Sequence, residues 1–262
     1  MKQALAAFAL LALLACREPK SAEAATPLGA RSSPACEPET FEGTPLTHCI
    51  ADPTRDTVRV VIAPPGGPPY RSLSAFAEAR SPKASAVRFA MNAGMFDENG
   101  LPIGYAVVGG KRLHALNRAD GWGNFHLKPN GVFFGSGSRW QVLETDQFAA
   151  RIHKRPAFAT QSGPMLVIDG KLHPAFQPDG ASAKYRNAVG IDEQGRAHFV
   201  ISDAPISFGK LARYYRDVLG TPNALFLDGS VSQLWDPAHH RLDEGPPLGP
   251  LLVIERNGPQ GR

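Results

Sequence analysis

The chain has 262 residues, of which 43% are hydrophobic and 20% charged, a balance that excludes intrinsic disorder as a description of the whole. Its 28 basic and 24 acidic side chains give a net charge of +4, without the long block of like charges that would indicate a nucleic-acid partner. With 26 glycines and 24 prolines, the composition favours strands and loops over a helical bundle.

The N-terminus has the pattern of an export signal. Lys2 precedes an apolar run from Ala4 to Ala15, which is too short to span a bilayer because that takes roughly 20 residues. The end of this run resembles a bacterial lipobox, which predicts a signal peptide over residues 1–15 and lipidation of Cys16. An ordinary signal peptide cut a few residues later is the alternative. No Asp follows Cys16, so we expect a periplasmic, outer-membrane-anchored lipoprotein.

A tether and a cysteine pair follow the signal. Residues 16–35 are rich in Ala, Ser and Pro and show no helical or strand period, which predicts a flexible tether. The remaining cysteines are Cys36 and Cys49. In an exported protein such a pair predicts a disulfide rather than a metal site, and two free thiols are the alternative.

Apolar segments predict one domain over residues 36–256, followed by a tail at 257–262. Predicted helices cover 73–79 and 207–219, the second with Ser207 as N-cap and Gly220 just beyond its end. The fold class is therefore α+β (mixed α/β): a single domain with a mixed, strand-rich sheet and a few flanking helices. The predicted strands are 57–63, 87–91, 105–108, 112–116, 165–168, 171–172, 188–192, 197–202, 223–227 and 251–254.

Common catalytic signatures are absent from the sequence. The segment 104–111 is off by one residue from a phosphate-binding loop, and no Gly-x-Ser-x-Gly elbow or His-Glu-x-x-His pair occurs. A nucleotide site, a serine hydrolase and a zinc enzyme are therefore disfavoured, and no metal ligand is assigned.

Several apolar segments instead end in small and polar residues, where a sheet can gather functional groups. A tight turn after each strand is the alternative. Five segments then occur in a fixed order: Asn92-Ala-Gly-Met-Phe96, Lys128-Pro-Asn-Gly-Val-Phe-Phe134, Gln161-Ser-Gly-Pro-Met-Leu166, Arg186-Asn-Ala-Val-Gly190 and Asn223-Ala-Leu-Phe-Leu-Asp-Gly229.

Together these segments resemble the phosphodiester glycosidase family over about residues 36–256. This family includes the lysosomal uncovering enzyme, which removes N-acetylglucosamine from a phosphodiester on mannose. The pair Cys36 and Cys49 also resembles the start of bacterial members. The uncovering enzyme has a run of glycines after Leu-Asp-Gly, whereas Ser230-Val231-Ser232 stand here. The resemblance therefore indicates the chemistry more than the sugar.

A sugar 1-phosphodiester needs little acid catalysis because its leaving phosphate is a weak base. Arg186 is the candidate for the phosphate, since a guanidinium matches it with two hydrogen bonds; a surface ion pair is the alternative. Asp228 is the candidate nucleophile or general base; an Asp-Gly turn is the alternative. Substrate-binding candidates are Asn92, Gly94, Phe96, Asn130, Gln161, Ser162, Gly163, Asn187, Gly229 and Ser232, and Trp122 is a further aromatic for stacking on a sugar.

Three functions remain open from the sequence. The first is an exported hydrolase of glycosyl phosphodiesters that acts on envelope or extracellular glycan, and the second is a glycan-binding lipoprotein without activity. The third is a metal-dependent phosphodiesterase. No cofactor is assigned, although Asp120, Asp192 or Asp203 could join Asp228 as an acid/base pair or as ligands of a divalent cation. The expected partners are a carbohydrate phosphodiester and the membrane, and the sequence does not indicate an oligomeric state.

Overall fold

The computed structural model describes residues 34–257, and every structural statement below concerns these residues. The predicted signal peptide, Cys16, most of the predicted tether and residues 258–262 lie outside them. No helix in the described range is both long and apolar enough to cross a membrane.

The described residues form strands connected by three short α-helices. The helices are α1 (Leu73–Glu78), α2 (Thr145–Arg151) and α3 (Phe208–Arg213). The strands are β1 (Cys36–Phe41), β2 (Thr44–Ala51), β3 (Asp56–Val61), β4 (Val87–Asn92), β5 (Ala106–Val108), β6 (Lys111–His114), β7 (Gly131–Ser136), β8 (Arg139–Glu144), β9 (Phe158–Ser162), β10 (Met165–Ile168), β11 (Lys171–Leu172), β12 (Asn187–Ile191), β13 (Ala197–Ser202), β14 (Asn223–Asp228), β15 (Leu234–Asp236), β16 (Arg241–Leu242) and β17 (Leu251–Arg256).

The strands are divided among three sheets. The first has seven strands in the order β1-β2-β13-β12-β14-β10-β11. The second has five in the order β16-β15-β4-β17-β3, and the third has five in the order β6-β5-β9-β7-β8. The strand pairs in the described range are antiparallel. The prediction of a strand-rich α+β domain is confirmed.

The main core lies where the three sheets face one another. Phe89 of β4, Phe133 of β7 and Phe199 of β13 come from different sheets, and all three are fully buried. The ring of Phe199 meets those of Phe89 and Phe133 edge to face, with centroids 5.3 and 5.7 Å apart. Such pairs contribute roughly 0.5–1.5 kcal/mol each beyond their buried area. The three sheets are therefore held together by one shared aromatic cluster.

The outer face of the first sheet is covered by α3 and the turn that follows it. The sequence predicts one helix over 207–219, whereas α3 ends at Arg213 and continues as a π-helical turn over Tyr214–Val218. Ser207 caps the helix as predicted, with its hydroxyl oxygen accepting from the backbone N–H of Lys210 at 3.2 Å. Tyr214 and its neighbour Tyr215 are both buried against the sheet.

The predicted disulfide between Cys36 and Cys49 is present. The segment it closes is a hairpin of β1 and β2, in which the two cysteines stand directly opposite each other. The sequence analysis did not predict β1, β2, β7, β8, β15, β16 or α2. Part of the burial of β2 and β7 comes from pairing with β13 and β9, which lie farther along the chain. The strand β13, for example, pairs along its whole length with residues 46–51 of β2.

Candidate functional site

The candidate site lies where strands of all three sheets end together. Asn92 closes β4 of the second sheet, and Ser162 closes β9 of the third. Asn187 opens β12 and Asp228 closes β14, and these two residues are paired in the first sheet. Hydrogen bonds connect the four residues or their immediate neighbours across the junction. Polar groups from four strands therefore converge at one point.

Asn187 is the centre of this network. Its Nδ2 donates to the backbone oxygen of Asn92 at 2.9 Å and to Oδ1 of Asn92 at 3.0 Å. Its Oδ1 accepts from the backbone N–H of Asp228 at 3.0 Å. Oδ1 of Asn92 also accepts from the backbone N–H of Gln233 at 3.0 Å. Because Asn187 and Asn92 are fully buried, this amide pair fixes the backbone that carries Asp228.

Asp228 carries the one carboxylate of the network. Its Oδ1 accepts from the backbone N–H of Ser230 at 2.9 Å, and its backbone oxygen accepts from the hydroxyl of Ser232 at 3.1 Å. The residue is 7% exposed. Burial raises the pKa of the carboxyl above its usual range, and the backbone N–H groups of Ser230 and Gly229 offset this only in part. A carboxylate with a raised pKa is a stronger base than one in water.

Arg186 is a buried cation, not the surface residue of the alternative interpretation. It is 1% exposed, and its guanidinium lies 3.6 Å from the ring centroid of Phe208. Nε donates to the backbone oxygen of Ile206 at 2.9 Å, and Nη2 donates to that of Ser182 at 2.9 Å. Burial lowers the pKa of Arg186 to about 10, so the group stays charged at neutral pH.

One nitrogen of this guanidinium lacks an acceptor. Nη1 of Arg186 is buried and has no hydrogen-bond partner among the described residues. The structure gives no ion pair between Arg186 and Asp228 in the described range, although Arg186 directly precedes the residue paired with Asp228. An unpaired buried donor on a cation costs roughly 1–3 kcal/mol or more, which an anionic ligand would remove.

Three further predicted residues hold neighbouring segments in place. The hydroxyl of Ser162 donates to the backbone oxygen of Leu227 at 2.5 Å, directly before Asp228. Oε1 of Gln161 accepts from the backbone N–H of Asn117 at 2.9 Å. Nδ2 of Asn130 donates to the backbone oxygen of Phe125 at 2.8 Å. The side chains of Ser162, Gln161 and Asn130 are buried, so their described role is to position these loops.

The predicted glycines allow close packing of the strand ends. A Cβ on Gly94 would lie 2.4 Å from the backbone oxygen of Gln161, and one on Gly163 would lie 2.5 Å from Cβ of Asn130. A Cβ on Gly229 would lie 2.8 Å from the ring of Phe226.

Phe96 and the other carboxylates lie outside the network. Phe96 packs beneath the guanidinium of Arg71, 5.5 Å from its ring centroid, and joins a separate apolar cluster. Asp120 pairs with Lys128, Asp192 with Arg196 and His198, and Asp203 with Thr47 and Arg241. Residues 34–257 contain no group of three or more His, Cys, Asp or Glu side chains that could hold a metal ion.

Sequence reasoning missed two residues of the site region. Gln233 supplies a backbone N–H to Asn92, and Asn117 exchanges two hydrogen bonds with the amide of Gln161. Gln233 follows the Asp228 turn closely, which is the one signal that could have indicated it. Asn117 carries no such signal, because it reaches Gln161 only through the folding of the third sheet.

Comparison with known proteins identifies the family. A family model described as phosphodiester glycosidase matches residues 85–240, so the chain belongs to the phosphodiester glycosidase family. The resemblance noted in the sequence is thereby confirmed. Over 172 residues the chain is 36% identical to YigE of Escherichia coli, an uncharacterized protein, and the match covers 66% of this chain and 67% of YigE.

Solved structures share the fold. The catalytic domain of zebrafish N-acetylglucosamine-1-phosphodiester alpha-N-acetylglucosaminidase, auto-inhibited by its pro-peptide, has a TM-score of 0.58 and 16% identity; 87% of this chain and 85% of that one are covered. A Burkholderia pseudomallei protein described as exported has a TM-score of 0.51 and 12% identity, and 81% and 74% of the two chains are covered. At these identities the comparison establishes the fold alone.

Proposed function

We propose that this protein is an exported hydrolase that cleaves the glycosidic bond of a sugar 1-phosphodiester. Membership of the phosphodiester glycosidase family supports the reaction class. The zebrafish structure, whose enzyme acts on a phosphodiester of N-acetylglucosamine, shares the fold. We infer that the substrate is envelope or extracellular glycan material.

The observation that carries the proposal is the buried Asp228 carboxyl at the junction of the three sheets. The backbone N–H of Asp228 donates to Oδ1 of Asn187, whose amide is bonded to Asn92, and burial raises the pKa of the Asp228 carboxyl. A fixed carboxylate with raised basicity is suited to accept a proton from an attacking water. In the proposed reaction, Asp228 is the general base and Asn187 positions it.

Arg186 completes the proposed chemistry as the phosphate ligand. Its Nη1 is a charged donor without a partner among the described residues, and the phosphate would supply the acceptor. The hydrogen bond strengthens as the phosphate gains charge on leaving, which is the condition for lowering the barrier. The stacking of Arg186 on Phe208 holds the guanidinium plane in one orientation.

The proposed step is a hydrolysis at the anomeric carbon. Water attacks C1 while one of its protons passes to Asp228. In the C1–O–P linkage the bond between C1 and oxygen breaks, and its electron pair remains on the phosphate oxygen. Asp228 then returns the proton to the phosphate or to solvent. The products are the free sugar and a phosphomonoester, so neither an oxidant nor a second substrate is required.

Export and anchoring form the second part of the proposal. The signal sequence, the Cys36–Cys49 disulfide and the fold shared with an exported protein support a periplasmic location, since disulfides persist in oxidising compartments. We propose that Cys16 carries the lipid and that this lipid anchors the protein in the outer membrane. Residues 1–15 are then the signal peptide, 16–35 the tether and 36–256 the catalytic domain.

The full-length protein is incubated with a panel of sugar 1-phosphodiesters, one of which is a 1-phosphodiester of N-acetylglucosamine. The test measures the release of free sugar and of phosphomonoester. Asp228→Asn and Arg186→Lys are each expected to lower kcat/KM at least about a hundredfold, nearly 3 kcal/mol of barrier. The surface variant Asp217→Asn serves as the control and should retain full activity. Turnover that survives Asp228→Asn would refute the assigned base. No turnover on any diester by the folded wild type would refute the function, and a chelator arm reports on a metal requirement.

A further inference from the structure

A fully exposed tryptophan stands on the loop that connects β6 with β7. Trp122 is 99% exposed, between Gly121 and Gly123, on the loop of residues 115–127 that we call the Trp122 loop. It belongs neither to the core nor to the network around Asp228. Leaving a whole indole in water forgoes the favourable free energy that its burial would contribute.

The loop is firmly fastened, so the exposure does not come from loose structure. The amide of Gln161 bonds both the backbone N–H and the backbone oxygen of Asn117, at 2.9 and 2.7 Å. Nζ of Lys128 donates to the backbone oxygen of Arg118 at 2.9 Å and to Asp120 at 2.6 Å. These bonds secure the part of the loop that precedes Trp122.

The far end of the loop is equally fixed. Phe125 is buried, and its backbone oxygen accepts from Nδ2 of Asn130 at 2.8 Å. A Cβ on Gly121 would lie 2.7 Å from the ring of His126, so the loop closes tightly on that imidazole. Trp122 is therefore presented from a rigid base, which lowers the entropic cost of binding against its face.

The anchors also place the loop beside the candidate site. Gln161, which bonds Asn117, directly precedes Ser162, and the hydroxyl of Ser162 donates to the backbone oxygen of Leu227 next to Asp228. The Trp122 loop thus rises from the end of the third sheet that meets the site. A ligand in contact with Trp122 would extend outward from the Asp228 region.

The surroundings of Trp122 favour a sugar over an apolar partner. No other large apolar side chain of the Trp122 loop is exposed, and the loop and the residue that follows it also carry the charged side chains of Arg118, Asp120 and Lys128. A protein or membrane contact needs a contiguous apolar patch. A pyranose ring offers one apolar C–H face bordered by hydroxyl groups, which matches one aromatic face with a polar border.

We propose that Trp122 is a stacking platform for a sugar unit of the substrate other than the unit whose bond is cleaved. The substrate is then an oligosaccharide or polysaccharide built with sugar 1-phosphate linkages, not a small diester. This inference rests on the proposed function for the reaction and adds the extended substrate class and one specificity residue.

The kinetic test compares two probes on the full-length protein: the methyl diester of N-acetylglucosamine 1-phosphate, and a tetramer of N-acetylglucosamine 1-phosphate units. Trp122→Ala is expected to lower kcat/KM for the tetramer about tenfold and to leave the methyl diester within twofold. Trp122→Phe should restore most of the loss, and Leu113→Ala, which removes another exposed apolar side chain, should change neither. If Trp122→Ala lowers kcat/KM equally for both probes, or does not lower it for the tetramer, the assignment of Trp122 as a stacking platform is overturned.

A binding test separates this inference from the proposed function. With Asp228→Asn protein, acrylamide quenching of indole fluorescence reports on Trp122, since Trp140 is buried and Trp235 half-buried. Addition of the tetramer should reduce quenching in the Asp228→Asn protein and not in the Asp228→Asn, Trp122→Ala double variant. Protection without turnover by wild type would support the platform and refute the hydrolase. Turnover by wild type without protection of Trp122 would support the hydrolase and refute the platform. If neither turnover nor protection is observed, both the hydrolase and the platform are refuted.

Discussion

A buried chain of ionisable side chains predicts that this domain loses stability in acid. Nδ1 of His48 lies 2.9 Å from Oε1 of Glu39, and Nε2 of His48 lies 2.9 Å from Nδ1 of His198. Nε2 of His198 lies 3.0 Å from Oδ2 of Asp192. Tyr214 donates its hydroxyl proton to the other oxygen of Glu39. The chain connects β1, β2 and β13 with the residue that follows β12.

Proton counting fixes the arrangement within this chain. The contact between Nε2 of His48 and Nδ1 of His198 holds one proton and not two, because two N–H groups would repel each other at 2.9 Å. Burial lowers the pKa of His198 below its usual range, and the hydrogen bond to Asp192 opposes this only in part. His198 is therefore neutral and donates Nε2–H to Asp192. A second proton on its Nδ1 would face the N–H of His48 at 2.9 Å.

The sign of the pH dependence follows from these shifts. A histidine whose pKa is lower in the folded state contributes stability above its unfolded pKa of about 6.5, and that stability is lost as the pH falls. Burial raises the pKa of Asp192, but hydrogen bonds from His198 and Arg196 outweigh it and the net shift is downward. Stability from Asp192 is therefore also lost in acid, below about pH 4. Both contributions have the same sign.

The assay is urea unfolding at pH 8 and pH 5 with the disulfide intact. The wild type should lose up to about 2 kcal/mol more of its unfolding free energy than His198→Gln, because an unfolded histidine with a pKa of about 6.5 gains roughly 1.36 kcal/mol from its proton for each pH unit below that value. Gln can still bond both neighbours and does not titrate. The matched control His114→Asn removes an exposed histidine and should follow the wild type. Equal losses in wild type and His198→Gln would refute the reasoning.

Three further predictions concern the site and its frame. Asn187→Ala should lower kcat at least tenfold with little change in KM, because it releases the backbone of Asp228, the proposed general base; an unchanged kcat in steady-state assays would contradict this. Gly94→Ala should lower the free energy of unfolding by about 1–3 kcal/mol in thermal or urea unfolding, because the added Cβ would lie 2.4 Å from the backbone oxygen of Gln161. A variant as stable as the wild type would show that the strand ends can move apart without cost. Reduction of the Cys36–Cys49 pair should cost about 3 kcal/mol by loop entropy, and an unchanged unfolding midpoint in dithiothreitol would contradict that.

Local signals were sufficient to predict most of the strands that define the first and second sheets. The Asp169-Gly170 hairpin is one example, since both residues have positive φ as its turn type requires. The helix start at Ser207 and the strand that ends at Asp228 likewise follow from capping and apolar content. These elements are encoded within a few residues of sequence, so no knowledge of their partners is needed.

The division of the strands into three sheets could not be predicted from local sequence signals. It depends on pairings such as β2 with β13, which are set by long-range packing around Phe89, Phe133 and Phe199. The site shows the same limit. The motifs indicated Asn92, Asn187 and Asp228, but which amide bonds which backbone group depends on where the sheets meet. The burial of Arg186 beneath α3 was equally invisible from its neighbours in sequence.

The central claim is that the bond broken is the one between C1 of the sugar and oxygen. Hydrolysis of an N-acetylglucosamine 1-phosphodiester in oxygen-18 water, followed by mass spectrometry of both products, tests it most directly. The account predicts that the label appears in the hydroxyl of the released sugar and that the phosphomonoester remains unlabelled. Label in the phosphomonoester would show P–O cleavage and contradict the assigned roles of Asp228 and Arg186.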